Sequence, residues 1–171
     1  MIMDVLEAIN TRRSIRKFTG EVISDEEIKT ILKAGFQAPS AHNRQPREFI
    51  VLKDKEILEA IPKFHQYTKM LPKAGCGIVV CGDMNVQPEF GFLVSDCSAS
   101  LENILLAAHG LGLGAVWCGI YPIENLMEST SKLLNLPDNI VPIGLVAIGK
   151  KEQEVEPKDR YNESKVHYDR W

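Results

Sequence analysis

The chain has 171 residues, 44% of them hydrophobic, and its 20 Lys and Arg against 23 Asp and Glu give a net charge of -3. These values predict one globular domain, residues 1–171, with a core large enough to need no disulfide or metal, and they argue against a dedicated nucleic-acid-binding protein. No run of about 18 apolar residues predicts a membrane span, and the N-terminus does not resemble a signal peptide, so we expect a cytoplasmic protein.

Two helices with N-terminal capping signals begin the chain. An Asp-x-x-Glu pattern at residues 4–7, followed by apolar residues at helical spacing, predicts a first helix that ends near Arg12. A Ser-x-x-Glu pattern at residues 24–27 predicts a second helix that runs up to Pro39. A loop rich in hydrogen-bonding groups therefore begins where the second helix ends.

Strands and helices alternate after this loop, which fits α/β or α+β layers. The apolar runs predict, in chain order, a strand Phe49–Leu52, a helix Lys55–Ile61, a strand Ile78–Cys81, a long helix of about Gly91–Leu111, a strand Ala115–Cys118, a helix Glu124–Leu134 and a strand Val141–Ile148. Residues 62–76 carry no pattern that predicts an element. After Gly149 the chain turns polar, yet spaced aromatic residues predict that this tail, residues 150–171, docks on another surface.

The cysteines and histidines do not predict a metal or disulfide site. The four cysteines lie in or beside apolar segments at spacings typical of neither, which favours free, buried thiols. The four histidines show no ligand spacing, and no arrangement of a nucleophile with a base stands out. The glycines of residues 110–114 end a helix and precede a strand, which is the reverse of a dinucleotide-binding fingerprint.

Two cationic clusters at opposite ends of the chain, residues 12–17 and residues 158–160, suit a phosphate monoester. Such a group carries nearly two negative charges, and its sites combine Arg or Lys donors with hydroxyl or backbone N–H groups. The candidates are Arg12, Ser14, Lys158 and Arg160. Taken separately, each cluster also fits a solvated helix end or a solvated tail.

Other polar residues suit a flavin. Reduction leaves negative charge at the pyrimidine edge of the ring, where Arg16 or Arg13 could stabilise it. The loop of residues 38–46 supplies Ser40, Asn43 and Gln45, which either bind the ring edge and sugar-like chain or satisfy their own turn. The glycine of Cys118-Gly119-Ile120 would let the backbone approach a planar ring, although an ordinary strand-end glycine reads the same way.

These motifs resemble those of the FMN-dependent nitroreductase family. The family's Arg-Arg-Ser-x-Arg-x-Phe motif matches Arg12–Phe18, and its Ala-Pro-Ser-x-x-Asn-x-Gln-Pro loop matches Ala38–Pro46. Its Gly-Leu-Gly before a strand matches residues 112–114, and a C-terminal Lys-x-Arg matches residues 158–160. Four motifs in this order are specific to the family, although not to one substrate.

The resemblance implies an α+β domain with a mainly antiparallel central sheet flanked by helices. It also implies a homodimer with FMN at the subunit interface and a C-terminal tail that wraps the partner subunit. The implied cofactor contacts are phosphate at Arg12, Lys158 and Arg160, the ribityl-phosphate region at Arg13 and Ser14, the pyrimidine edge at Arg16, the other subunit's flavin at Pro39, Ser40 and Asn43, and the reactive ring nitrogen at Gly119 and Ile120.

The chain departs from the family pattern on the substrate side. Arg47 stands where the family has an aromatic residue, and residues 62–75 match no flavin-contacting pattern. The chain also has no room for a long helical insertion over the site. The pocket is therefore expected to be open or covered by residues 65–70. Its candidate lining residues are Tyr67, Lys69 and Phe90.

The implied activity is that of an NADH- or NADPH-dependent FMN oxidoreductase. A nicotinamide and then a small-molecule electron acceptor, such as a nitroaromatic or a quinone, would use one face of the flavin in turn, with no dedicated catalytic side chain. Alternatives on the same fold are dehalogenation, enoyl-type or diketopiperazine-type oxidation and flavin fragmentation. A flavin-binding protein without turnover, or nucleic-acid binding through residues 12–17, is an alternative of another class.

Overall fold

The computed structural model describes residues 3–171 and begins with the two helices that the capping signals predict. Helix α1 spans Val5–Thr11, and the Asp4 side chain accepts hydrogen bonds from two backbone N–H groups of its first turn. Helix α2 spans Asp25–Phe36, and Ser24 and Glu27 form the reciprocal capping box. Local side-chain-to-backbone bonds therefore start both helices at the expected residues.

The sheet has four strands in the order β1-β2-β4-β3, and every neighbouring pair is antiparallel. The strands are β1 (Arg47–Leu52), β2 (Cys76–Asp83), β3 (Gly114–Gly119) and β4 (Ile140–Gly149). The helices between them are α3 (Lys55–Ala60), α4 (Phe90–Gly110) and α5 (Glu124–Leu134). The expected α+β fold, with an antiparallel sheet flanked by helices, is confirmed.

The core lies on both faces of the sheet because its central strands are apolar on both sides. In β2, Ile78 and Val80 pack with α2 and α4, whereas Val79 and Cys81 pack into a second cluster with α3 and α5. The alternation follows from the two-residue period of a strand. The sheet is therefore the middle of three layers.

Helix α4 is the core helix of the domain. By length and composition it could cross a membrane, but it packs against α2 and against all four strands. It ends where Gly112 adopts a positive φ of 77°, and Leu113 N–H then donates to the carbonyl of Ala108 at 2.9 Å. A glycine is favoured in this left-handed position because it has no Cβ.

Residues 61–73 form three short 3₁₀ turns, Ile61–Lys63, Gln66–Thr68 and Leu71–Lys73, in the region for which the sequence predicts no element. Two of the turns carry a proline near their start. Ile61 and Leu71 are fully buried and anchor this segment against the sheet. Such turns have no long hydrophobic period, so a search for helix or strand periodicity does not find them.

The C-terminal tail first runs beside the N-terminal segment and then extends over exposed surface. Phe18 and Lys151 form an antiparallel bridge, and Glu152 N–H donates to the carbonyl of Lys17 at 3.0 Å. From residue 154 onward every residue is exposed. The aromatic side chains predicted to dock are thus uncovered within this chain, with Tyr168 83% exposed and Trp171 completely so.

Candidate functional site

The pairing of the tail with the N-terminal segment brings the two cationic clusters together. Arg13 Nη2 donates to the carbonyl of Lys158 at 3.1 Å, and Gln153 Oε1 accepts from the backbone N–H of Arg16 at 3.3 Å. The segment of residues 12–16 lies on its other side against β3, where Ser14 bridges to Ala115. Residues that are about 145 positions apart in the chain therefore share one surface.

We call the space between the clusters the cationic cavity, and its volume is about 600 Å³. It is lined by Ile9, Asn10, Arg12, Arg13, Pro157, Lys158, Asp159, Arg160 and Tyr161. Four of the predicted phosphate-region residues therefore meet in it, against one carboxylate. Arg13 Nε is buried without a hydrogen-bond partner among residues 3–171. An anion suits this donor set because charge-assisted hydrogen bonds would satisfy it.

A second space, which we call the aromatic cavity, lies beside the same segment at Arg16, four residues after Arg12. Its volume is about 630 Å³. It is lined by Arg16, Gln66, Tyr67, Lys69, Met70, Val116, Trp117, Cys118 and Gly119. Trp117 and Gly119 also line a third cavity, with Tyr121 and with Val94 and Ser98 of α4. A planar ring with a polar edge suits the aromatic cavity, which offers apolar walls and two cations but no carboxylate.

Gly119 lines the aromatic cavity, and its backbone groups are not used by the ladder between β3 and β4. Ile120 N–H donates to the carbonyl of Ile143 at 3.2 Å, so Gly119 and Gly144 form the non-hydrogen-bonded pair that precedes this bonded one in the antiparallel ladder. The N–H and C=O of Gly119 therefore point away from β4, to the outer edge of the sheet. A Cβ at Gly119 would meet only the carbonyl of Tyr121, at 3.8 Å. This is a cradle that a side chain would fill.

Ile120, which is predicted to lie at the reactive ring nitrogen, is placed next to the cavity but does not line it. Its side chain is 1% exposed, and its backbone N–H is already bonded to Ile143. The backbone donor at this end of β3 is therefore the N–H of Gly119.

His65 connects the two walls of the aromatic cavity. The side chain is 2% exposed, and its Nε2 lies 2.9 Å from the carbonyl oxygen of Gly119. A second contact between the walls joins Cys118 of β3 to the turn of residues 66–68, where Cys118 Sγ lies 3.6 Å from the carbonyl oxygen of Tyr67. The predicted cover of residues 65–70 thus forms the side of the cavity opposite β3.

The thiol of Cys118 remains protonated near neutral pH. Burial raises its pKa to about 11, although the nearby positive charge of Arg16 acts in the opposite direction. The other three cysteines are also free and buried, as the sequence predicts. No group of three or more His, Cys, Asp and Glu side chains could hold a metal ion within residues 3–171. The Cys118 thiol therefore supplies no thiolate to the aromatic cavity near neutral pH.

The polar loop of residues 38–46 is a strained and heavily bonded structure. His42, Asn43 and Gln45 all have φ between 53° and 54°, a region that costs free energy for residues other than glycine. Gln45 N–H donates to Ser40 Oγ at 2.9 Å, and Gln45 Nε2 donates to Asn43 Oδ1 at 3.0 Å. Pro39 and Asn43 are exposed beside them. The three polar residues of the loop that the sequence predicts as cofactor contacts, Ser40, Asn43 and Gln45, therefore bond to one another within this chain.

Two buried charged side chains fasten this loop to the domain. Asp96 of α4 is 5% exposed, and its Oδ1 accepts from the backbone N–H of Ala41 at 2.9 Å. Arg47, 4% exposed, donates from Nη2 to the carbonyl of Phe36 and so closes the base of the loop. Arg47, one of the residues that depart from the resemblance, therefore has a structural role. Asp96 Oδ2 and two Arg47 nitrogens find no partner in the described part of the chain.

The structure separates the predicted substrate-lining residues. Tyr67 and Lys69 line the aromatic cavity, whereas Phe90 packs edge-on against Tyr121 and lines a different cavity beside α5. The sequence predicts residues 65–70 as a cover of the pocket but does not single out Gln66 or Met70, and it does not predict Trp117 as a lining residue. It also predicts no contact for His65 itself. Trp117 was visible as an aromatic residue just before Gly119, but His65 carries no sequence signal because its partner is 54 residues away.

Comparison with known proteins agrees with these features. The model of the nitroreductase family matches residues 9–80 and 67–150. A relative from Archaeoglobus fulgidus, named "Putative NADH dehydrogenase/NAD(P)H nitroreductase", is 44% identical over 98% of this chain and 99% of its own length. A crystal structure with the same name, from Parabacteroides distasonis, superposes with a TM-score of 0.94 at 37% identity, with 98% of each chain covered.

A further solved structure is named for its cofactor. The "FMN-dependent Nitroreductase" from Clostridium difficile superposes with a TM-score of 0.89 at 26% identity, covering 97% of this chain and 99% of its own. These matches extend over nearly the whole sequence, as do the motifs that resemble the family. The chain therefore belongs to the nitroreductase family and is an oxidoreductase.

Proposed function

We propose that this protein is an FMN-dependent oxidoreductase that uses NADH or NADPH to reduce electron-poor acceptors, such as nitroaromatics or quinones. The observation that carries the proposal is that the segment of residues 12–16 runs from the cationic cavity to the aromatic cavity. One end offers four cations, and the other offers Arg16 between apolar walls. A phosphate-bearing planar cofactor matches this distribution of charge along one strand-like segment.

At the phosphate end, Arg12, Lys158 and Arg160 would hold the phosphate, with Arg13 and Ser14 beside the ribityl chain. Arg12 is partly neutralised by Glu102, whose Oε1 lies 3.5 Å from Arg12 Nε. Arg13 is held by the tail carbonyl of Lys158. Lys158 and Arg160 are therefore the cations with the least competition from the protein's own groups, and we assign them the largest share of phosphate affinity.

At the ring end, Arg16 would stabilise the negative charge of the reduced cofactor, and Gln66 and Lys69 add donors on the opposite wall. FMN, when bound, supplies a two-electron carrier that serves the nicotinamide and the acceptor in turn. Gly119 would let the ring approach β3 closely and would offer its N–H at the sheet edge. Trp117 and Tyr67 would flank the space left for substrates.

We further propose that the active protein is a homodimer and that the tail of residues 150–171 wraps the partner subunit. Tyr161, Tyr168 and Trp171 are exposed in a single chain, and exposed aromatic residues in sequence favour an interface. Pro39, Ser40 and Asn43 would contact the flavin of the partner. Sedimentation equilibrium should give twice the chain mass. Truncation after Arg160, which keeps both Lys158 and Arg160, should weaken the dimer. We place this enzyme in the cytoplasm.

The first experiment is the visible spectrum of the purified protein, recorded before and after NADH and NADPH are added separately without oxygen. We expect a flavin band that at least one nicotinamide bleaches, followed by its return when a quinone is added. The preferred nicotinamide would then be the donor. Added FMN should restore the band to protein purified without cofactor.

Two outcomes contradict parts of the proposal. A flavin band that neither nicotinamide bleaches would show that another reductant, or a binding role, applies to this chain. A colourless protein that also takes up no added FMN would overturn the cofactor assignment itself. The two results differ in whether a flavin band is present. A failure of the donor assignment can therefore be told from a failure of the cofactor assignment.

A further inference from the structure

We propose that His65 is a positioning residue: with its proton on Nε2, the imidazole fixes the Gly119 peptide and the wall of residues 66–70 against each other. The role rests on the proposed function, since these two parts flank the place assigned to the cofactor ring. Nothing in the motifs of the chain points to His65. The inference comes from its burial, its contact and its position between the walls.

The contact defines which nitrogen carries the proton. His65 Nε2 lies 2.9 Å from the carbonyl oxygen of Gly119, and a carbonyl oxygen can only accept. Nε2 must therefore be protonated for this contact to be a hydrogen bond. Nδ1 is buried and has no hydrogen-bond partner among residues 3–171, so no competing group favours a proton on Nδ1.

The peptide between Gly119 and Ile120 is held at both ends by this arrangement. Its N–H donates to Ile143 at 3.2 Å, and its C=O accepts from His65. Glycine has more backbone freedom than any other residue, and β3 lies at the edge of the sheet without a neighbouring strand beyond Gly119. His65 thus restrains Gly119, whose backbone is otherwise less restricted than that of other residues.

The same histidine anchors the opposite wall. Thr68 donates to the carbonyl of His65 from both its N–H, at 3.0 Å, and its Oγ1, at 2.7 Å. The ring of Tyr67 lies edge-on to the imidazole, with centroids 6.4 Å apart. Hydrogen bonds to the His65 carbonyl therefore hold the turn of residues 66–68, and the His65 side chain contacts Gly119 of β3. His65 thus joins the two walls, beside the contact of Cys118 Sγ with the carbonyl of Tyr67.

The first test needs no cofactor. Nitrogen-15 spectra of the imidazole groups in FMN-free protein should show a proton on Nε2 of His65, and the backbone amide of Ile120, which belongs to the peptide whose C=O accepts from His65, should shift in His65→Leu. A proton on Nδ1 alone, or an unchanged Ile120 amide, would overturn the inference whatever the activity.

The second test uses the FMN-loaded protein and three variants. His65→Leu should slow flavin reduction at saturating nicotinamide by about tenfold or more, since small displacements of reacting groups cost large factors in rate, while KM changes little. His65→Gln keeps a donor near the Nε2 position and should recover part of the rate. Leu126→Ala, a buried packing change in α5 within the same apolar cluster, should lower the Tm without this loss of rate.

The outcomes separate the two claims. If His65→Leu and Leu126→Ala reduce the rate equally, or if His65→Gln recovers nothing, His65 acts only in packing. If the wild-type protein takes up no FMN, the proposed function fails and this role fails with it, although the tautomer measurement still reports whether the His65–Gly119 bond exists.

Discussion

Arg13 donates a hydrogen bond from Nη2 to the carbonyl oxygen of Lys158 at 3.1 Å, and this contact ties the first helix to the C-terminal tail. Because the bond uses the backbone of Lys158, it leaves the ammonium group of that residue free. The side chains of Lys158 and Arg160 can therefore face the same cavity as Arg12. The cationic site exists only when the two ends of the chain are paired.

The first prediction concerns the phosphate. Arg160→Ala should raise the Kd for FMN by about 10- to 100-fold, the effect of losing a charge-assisted hydrogen bond of about 1.5–3 kcal/mol. Riboflavin, which has no phosphate, should bind the variant and the wild type equally. Fluorescence titration measures both, and Lys29→Ala on the exposed face of α2 is the control. An equal loss of riboflavin affinity would place Arg160 away from the phosphate.

The second prediction concerns Arg16, one of the two cations of the aromatic cavity. Arg16→Ala should leave the dimer intact but lower the midpoint potential of bound FMN and slow its reduction, because the negative charge of the reduced form loses a stabilising partner. A potentiometric titration checks this, with the exposed neighbour substitution Lys17→Ala as the control. Unchanged affinity and unchanged potential would remove Arg16 from the site.

The third prediction concerns the anchor of the polar loop. Asp96→Ala should destabilise the fold by about 1–3 kcal/mol, since the backbone N–H of Ala41 loses its acceptor, and it should increase hydrogen exchange in residues 40–46. Asp96→Asn keeps an acceptor and should be milder. If the alanine variant exchanges as slowly as the wild type, the strained backbone is held by its internal bonds alone.

The helices and the individual strands could be predicted from the sequence because their signals are local, whereas the antiparallel sheet was implied only by the family resemblance. The capping residues of α1 and α2 and the apolar runs of the strands depend on neighbours within one element. The 3₁₀ turns of residues 61–73 could not be predicted in this way. They are held by the burial of Ile61 and Leu71 against the sheet, which is a tertiary effect.

The candidate site likewise has features that the sequence predicts and features that it does not. The cationic clusters were visible as residue types, and the structure brings Arg12 and Arg160 to one cavity as their chemistry suggests. The sequence predicts that residues 65–70 cover the pocket, but not the contact of His65 with Gly119, because the two residues are 54 positions apart. Phe90 is also a predicted lining residue, but it packs against Tyr121 at the start of α4.

The fourth prediction uses the space above Gly119. Gly119→Ala should change the free energy of unfolding by less than about 0.5 kcal/mol, since the added methyl group meets only one atom at ordinary van der Waals distance, 3.8 Å. The same methyl group should reduce FMN affinity if the ring lies against this residue. Gly110→Ala, which also faces open space, is the matched control. Full FMN affinity in Gly119→Ala would show that the ring lies elsewhere.

The fifth prediction concerns pH and the start of the tail. Glu27 accepts hydrogen bonds from Lys150 Nζ at 2.9 Å and from the backbone N–H and hydroxyl of Ser24, both at 2.8 Å. The bond from Lys150, followed by those from Ser24, lowers the pKa of Glu27 from 4.5 to about 2. A lowered folded-state pKa stabilises the native protein above the unfolded-state pKa, and this stabilisation is lost as the pH falls from about 4.5 to about 2.

Glu27→Gln should therefore reduce the free energy of unfolding by about 1 kcal/mol near neutral pH, a modest value because the ion pair is partly exposed. Urea unfolding at several pH values should show the gap between variant and wild type closing across the same acid range. Glu26→Gln, in the same turn of α2, is the control and should show no such closing gap. A gap that persisted unchanged at about pH 2 would mean that the carboxylate charge of Glu27 contributes nothing to the link between α2 and the tail.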